Sequence, residues 1–216
     1  MHKVVTVDIE KDILAENRRI ADENRALLED HRITAYDFLG AIGSGKTLII
    51  EKLVDFLKAK GKRCAAIAGD VSGDDDYQRF VQHGIPAANI NTGKECHLDA
   101  HLVDHALEEL PLDKIDYLFI ENVGNLVCPV DFPVGSHKRI VVISVTEGDD
   151  MVRKHPPIFA FSDVIVINKV DLADAMQVDP RILERDARRI NPAAKIIMMD
   201  TRRGKGIDEL IKALGV

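Results

Sequence analysis

The chain has 216 residues, 46% of them hydrophobic and 5% aromatic with no Trp. That suffices for one core of ordinary size and excludes a disordered, collagen-like or disulfide-rich chain. A net charge of −7, from 29 Lys and Arg against 36 Asp and Glu, excludes a nucleic-acid binder held mainly by phosphate contacts.

Apolar runs stay far below the ~18 residues of a membrane span. Residues 1–30 hold many charges and no apolar signal core, and the cysteines are only Cys64, Cys96 and Cys128. The expectation is a cytoplasmic protein with thiols free or on a metal, with neither membrane nor nucleic acid as partner.

Residues 8–30 predict a helix, because Ile13/Leu14, Ile20/Ala21 and Leu27/Leu28 recur at heptad spacing with charges between them. Such a helix packs on its own domain or serves a dimer or partner surface. The expected division is an N-terminal helical extension over 1–30 and a domain over 31–216. From residue 33 short apolar runs alternate with amphipathic stretches. Runs 33–39, 64–68, 117–120, 140–145, 164–167 and 196–199 predict buried strands; 48–60, 98–109, 180–190 and 207–214 predict helices. Strands buried on both faces and separated by helices predict an α/β fold with a mainly parallel sheet, whose ligands bind beyond the carboxyl ends of the strands.

Gly40-Ala41-Ile42-Gly43-Ser44-Gly45-Lys46-Thr47 matches G-x-x-x-x-G-K-[ST] between a predicted strand and a predicted helix, which makes the expected fold a P-loop NTPase. Gly40, Gly43, Ser44 and Gly45 let backbone N–H groups turn inward around phosphate oxygens. Lys46 supplies charge between the β- and γ-phosphates, Thr47 a hydroxyl for Mg²⁺, and the helix its positive dipole end. Asp70 and Glu121 end the second and third predicted strands, where carboxylates face a phosphate-bound Mg²⁺ directly or through water. Lys46, Thr47 and Asp70 are the candidate catalytic residues. Glu121-Asn122-Val123-Gly124 has the layout of a D-x-x-G switch, with Gly124 free to hinge toward a γ-phosphate. Asp74-Asp75-Asp76 is either a solvated turn or the first switch, with a nucleotide-dependent Mg²⁺ ligand. No residue reads as an obvious catalytic base, so slow hydrolysis is expected.

Asn168-Lys169-Val170-Asp171 follows a predicted strand and resembles the guanine-recognition motif of GTP-binding proteins. A carboxylate at Asp171 accepts both the N1–H and the 2-amino protons of guanine, which adenine does not offer. Asn168 would tie loops together and the Lys169 stem would cover the ring. GTP and GDP are therefore the expected ligands. A small-molecule kinase is disfavoured, since no acceptor-binding lid is evident.

Cys96-His97 is expected to begin a helix, with His101 and His105 on the same face at i+4 and i+8 from His97. Cys128 lies just beyond Gly124. Thiolate and imidazole suit Ni²⁺ or Zn²⁺. Cys96, His97 and Cys128 are one ligand short of a closed tetrahedral site; His101 completes it, a second subunit does, or the site is open. Cys64 reads as core.

In sum over about residues 8–216, Gly40 to Thr47, residues 91–101, residues 121–129 and Asn168 to Asp171 closely resemble the HypB family, GTPases that assist nickel insertion into [NiFe] hydrogenases, and its archaeal members above all. The resemblance implies a P-loop GTPase that dimerises across the nucleotide face, promoted by GTP and metal. It implies Ni²⁺ or Zn²⁺ at the dimer interface on Cys96, His97 and Cys128, with His101 matching a further family position. Asp76 matches the first-switch Asp that reaches Mg²⁺ in the GTP state. A nickel chaperone of the HypA type and the hydrogenase large subunit are the implied partners. Three features depart from relatives. The N-terminal Cys-rich motif and His-rich tract of many bacterial members are missing from this sequence. Asp200-Thr201-Arg202 stands where the family loop is more Ser-like. The urease GTPase, the nearest competitor, has a Cys-Pro-His motif, whereas Val130 follows Cys128-Pro129 here. A structural dimer module that nucleotide merely stabilises is the other alternative.

Overall fold

The structure, a computed structural model, describes residues 2–216, with side chains from Lys11 onward. Met1 of the 1–30 extension and the imidazole of His2 lie outside the described residues. One all-parallel sheet contains β1 (Thr34–Gly40), β2 (Cys64–Asp70), β3 (Ala87–Asn91), β4 (Tyr117–Glu121), β5 (Lys138–Ser144), β6 (Val164–Asn168) and β7 (Lys195–Met198), in spatial order β3-β2-β4-β1-β5-β6-β7. The helices are α1 (His2–Asp30), α2 (Lys46–Ala59), α3 (Asp75–Gln82), α4 (Ala100–Glu108), α5 (Met151–Lys154), α6 (Pro156–Ala160), α7 (Ala173–Met176), α8 (Pro180–Ile190) and α9 (Ile207–Leu214). No helix among the described residues is long and apolar enough to cross a membrane.

Side-chain alternation along the strands divides the core. Tyr36, Phe38, Phe119, Val142 and Val166 face α2 and α9, where Ile49, Leu53, Leu57 and Leu210 cover them. Fully burying one such Leu contributes roughly 1.5–3 kcal/mol. The opposite face carries two clusters. Ala35, Ile67, Leu118 and Ile120 pack with Leu28, Val103 and Leu107. Leu39, Val141, Ile143 and Ile167 pack with Phe159 and Leu183. Asp37, between Ala35 and Leu39 on this face and wholly buried, interrupts an otherwise apolar surface.

The observed elements exceed those expected. Edge strand β3 (Ala87-Ala88-Asn89-Ile90-Asn91) has only two buried positions, too weak a pattern to read. The Asp74–Asp76 stretch is not a loop: Asp75 and Asp76 form the first turn of α3, where carboxylates favour the positive helix end. In α1 the buried stripe is Asn17, Ala21, Asn24 and Leu28, so one member of each later apolar pair faces in and Ile13 stays exposed. Asn17 Nδ2 donates to Pro133 O at 2.9 Å and its Oδ1 accepts from Ala100 N at 2.8 Å. Asn24 Nδ2 donates to Ala100 O at 2.8 Å and Val134 O at 3.3 Å. The last half of α1 thus lies against the start of α4 and the segment before β5.

Candidate nucleotide and metal site

The carboxyl ends of β1, β2, β4 and β6 open onto one cleft of about 600 Å³, on whose walls lie Gly45 to Thr47, Asp70, Asp76, Glu121, Asn168 and Asp171. Gly45 has φ 105°, and a Cβ there would stand 2.4 Å from Asn168 Nδ2. Only glycine lets the phosphate loop approach the β6 loop so closely. Gly124 is similarly confined, since a Cβ would meet Ile42 Cγ1 at 2.2 Å. The segment from Glu121 to Gly124 therefore lies directly against the phosphate loop.

Lys46 is buried, and its Nζ donates to Gly40 O at 3.2 Å and Ala41 O at 3.1 Å. Burial lowers its pKa, while Glu121, Asp76 and Glu147 oppose that shift. Thr47 Oγ1 stands 2.7 Å from Asp76 Oδ1 and 2.9 Å from Glu121 Oε1. One hydroxyl proton cannot serve both carboxyls fully, and Glu121 Oε2 is buried without a partner. Burial, with Asp76 beside it, pushes Glu121 up to about 8. Two carboxyls and a hydroxyl converging in a buried site form a donor set suited to a hard cation such as Mg²⁺. Asp76 is positioned by α3 itself, because Arg79 clasps Glu51 of α2 with two bonds of 2.9 and 2.7 Å. Asp70 is not part of this trio. Its Oδ1 accepts from Val71 N at 2.6 Å, so it caps its own turn at the rim of the cleft.

At the other end, Asn168 joins three loops. Its Nδ2 donates to Ser44 O at 2.8 Å, and its Oδ1 accepts from Thr201 Oγ1 at 2.8 Å. Thr201 thereby gives the Asp200-Thr201-Arg202 loop a firm anchor on the base motif. Lys169 adopts φ 58° and its Nζ donates to Gly43 O at 2.6 Å, laying its stem along the cleft. Asp171 Oδ2 lies 3.0 Å from Arg203 Nη1, which also holds Asp200 at 2.7 Å.

The ligand atoms of Cys96, His97 and Cys128 all lie within 4.8 Å of one another. His97 is buried against Phe132, ring centroids 4.1 Å apart. That burial lowers its pKa and favours the neutral imidazole a metal requires. The adjacent Cys128 sulfur, with burial, raises the Cys96 thiol, so its thiolate calls for a neighbouring positive charge. This buried imidazole and sulfur pair fit Ni²⁺ or Zn²⁺ by donor chemistry. Asp99 caps α4 by accepting from Leu102 N at 2.8 Å, so the helix begins after Cys96 and His97 and leaves them in the preceding loop. The expected single face of three imidazoles is therefore not formed. His101 and His105 pair with each other, Nε2 to Nε2 3.2 Å, on exposed helix surface. Asn125 Nδ2 donates to Cys96 O at 3.2 Å and joins the second switch segment to the ligand loop. Phe132, Arg203, Asn125 and Asp37 gave no sequence signal, because their roles depend on neighbours remote in the chain.

A family profile for the nucleotide-binding domain of CobW/HypB/UreG proteins matches residues 35–198. The chain is 58% identical to a probable hydrogenase maturation factor HypB of Methanocaldococcus jannaschii, over 98% of this chain and 96% of that one. The crystal structure of hydrogenase maturation factor HypB from Archaeoglobus fulgidus superposes with TM-score 0.86 at 50% identity, covering 93% of this chain and 98% of that one. HypB from Helicobacter pylori in complex with nickel superposes with TM-score 0.86 at 33% identity, over 92% and 93% of the two chains. The chain belongs to the HypB family.

Proposed function

We propose, with membership of the HypB family as the premise, that this protein is a GTPase coupling GTP binding and hydrolysis to nickel delivery during [NiFe] hydrogenase maturation. One observation carries the reading: the nucleotide and metal ends share a single loop. Glu121 faces Thr47, Gly124 abuts Ile42, Asn125 holds the Cys96 carbonyl, and Cys128 follows a few residues later. A γ-phosphate that draws in Glu121 to Gly124 changes the spacing of the sulfurs.

The residues divide by task. Gly40, Gly43, Ser44 and Gly45 cradle phosphates, and Lys46 stabilises charge developing on the transferred phosphoryl group. Thr47, Asp76 and Glu121 would hold Mg²⁺, with the Asp70 carboxylate beside them on the cleft wall; the ion, when bound, would neutralise phosphate charge. Asn168, Lys169 and Asp171 select guanine. Cys96, His97 and Cys128 take nickel as cargo, or zinc in its place. His101 and His105 lie outside the three-residue cluster; in this reading a second chain completes the site, and the active species is a homodimer in the cytoplasm. A HypA-type nickel chaperone supplies the metal and the hydrogenase large subunit receives it.

The test is titration of Ni²⁺ and Zn²⁺ into the protein with GDP and then a non-hydrolysable GTP analogue, following the thiolate-to-nickel absorption band and sedimentation. Metal and GTP analogue should each promote the dimer and tighten each other's binding equally, by roughly 1–3 kcal/mol, because linkage is reciprocal. Cys128→Ser should lose the metal effect and keep GTP binding. A wild-type protein that stays monomeric throughout, or a Cys128→Ser variant that dimerises with metal as well as wild type, overturns the shared site.

A further inference from the structure

Asp37 occupies the middle of a buried sheet face, between two apolar clusters, where a Leu would be less costly. Its Oδ1 accepts from Asn122 Nδ2 at 3.3 Å, and Arg139 Nε stands 3.7 Å from its Oδ2. Each partner reaches further. Asn122 Oδ1 accepts from Leu98 N at 2.9 Å, the amide next to His97. Arg139 Nη2 donates to Pro129 O at 2.9 Å and Nη1 to Val130 O at 3.1 Å, the carbonyls that follow Cys128. All three contacts are made to main chain, so they fix the path of the two segments whatever side chains they carry.

We propose that Asp37, Asn122 and Arg139 are the positioning residues of the metal centre: one buried carboxylate holds the Cys96–His97 segment through Asn122 and the Cys128 segment through Arg139. The inference rests on the metal-binding reading above and deepens it. Neither Asp37 nor Arg139 touches the ligand atoms. Asp37 belongs to β1, whose end is the phosphate loop, and Asn122 directly follows Glu121. The same network therefore references the ligand spacing to the elements that meet the nucleotide. Removing a hydrogen-bonded support behind a metal ligand typically costs about 10–100-fold in metal affinity.

Arg139→Met retains the aliphatic stem and removes both carbonyl contacts; Arg139→Lys restores the charge and one donor. Two measurements on full-length protein decide the matter: Ni²⁺ affinity from the thiolate band, and the rate at which diamide oxidises metal-free protein to a Cys96–Cys128 disulfide. Arg139→Met should weaken Ni²⁺ binding about tenfold and slow disulfide formation, with GTP-analogue affinity unchanged within about twofold and partial rescue in Arg139→Lys. Should Arg139→Met fail to fold, Asp37→Asn, nearly isosteric, takes its place, with the same expected fall in Ni²⁺ affinity and in disulfide rate. A folded variant with wild-type Ni²⁺ affinity and wild-type disulfide rate overturns the proposal. Failure of wild type to bind Ni²⁺ through thiolate would instead overturn the metal-binding reading, and the disulfide rate would still decide the positioning role.

Discussion

Arg203 Nη1 lies 3.0 Å from Asp171 Oδ2, on the carboxylate that the proposed function assigns to guanine. The guanidinium is anchored at the same time by Asp200 at 2.7 Å. On that proposal guanine and Arg203 compete for one carboxylate. Arg203→Ala should raise affinity for GDP and GTP about two- to fivefold, the small factor reflecting an exposed, solvent-screened pair. Isothermal calorimetry of the two proteins checks it, and weaker binding in the variant would mean that Arg203 aids the base.

Asp171→Asn should shift preference from GTP toward xanthosine triphosphate. The amide presents a donor where guanine also donates, while xanthine offers a carbonyl. Loss of a charged two-point contact should cost roughly 2–4 kcal/mol in GTP affinity. Unchanged GTP binding by calorimetry places the base elsewhere.

Lys46→Ala and Thr47→Ala should each lower hydrolysis at least about 100-fold while leaving the circular dichroism spectrum intact. Both side chains are buried toward the cleft and its carboxyls rather than within an apolar cluster. Phosphate release is the readout, and wild-type turnover in either variant removes the phosphate loop from the chemistry.

Asp37→Asn should change how stability depends on pH. Burial raises Asp37 to about 6, against the opposing pull of Arg139 and Asn122. The folded protein thus binds this proton more tightly than the unfolded chain, and the favourable contribution is lost as pH rises from about 4 through about 6. Relative to wild type, the variant should gain roughly 1–3 kcal/mol on going from pH 4 to pH 7. Glu121 and Glu147 are raised as well, to about 8 and about 7, but they titrate in both proteins. Thermal melts across that range test the difference, and parallel curves would refute it.

Asn24→Ala should destabilise the attachment of α1. The side chain is buried, and its amide serves two carbonyls. Loss should cost roughly 1–3 kcal/mol, with faster amide hydrogen exchange confined to α1 and the start of α4. Wild-type exchange in α1 would show that Leu28 and Asn17 suffice.

The parts legible in the sequence are those whose physics is local. Val164 to Ile167 reads as a buried strand because every residue is apolar, and Gly40 to Thr47 reads as a phosphate loop because its glycines, Lys and Thr act within one turn. Asn89 and Asn91 obscured β3, since an edge strand tolerates polar side chains. The acidic run at Asp74 hid α3, whose carboxylates serve a helix start that buried Phe80 and the Arg79–Glu51 pair hold in place. Cys96, His97 and Cys128 could be grouped by residue type, but their convergence depends on Asn122, Asn125 and Asp37, and pairings across the sheet leave no spacing to read.

Beside the apolar packing of Leu28, α1 is gripped by side-chain amides on main-chain atoms of Ala100, Pro133 and Val134. Such a clasp recognises a contour and is blind to chemistry. Over evolutionary drift, these hydrogen bonds survive any replacement that keeps the backbone course, whereas an insertion or deletion that altered the course of either segment would release them at once. The constraint that these bonds add along residues 98–100 and 132–136 is therefore one of spacing, laid over the separate limits that burial sets at Leu98 and Val134 and that close approach to α1 sets at Gly135.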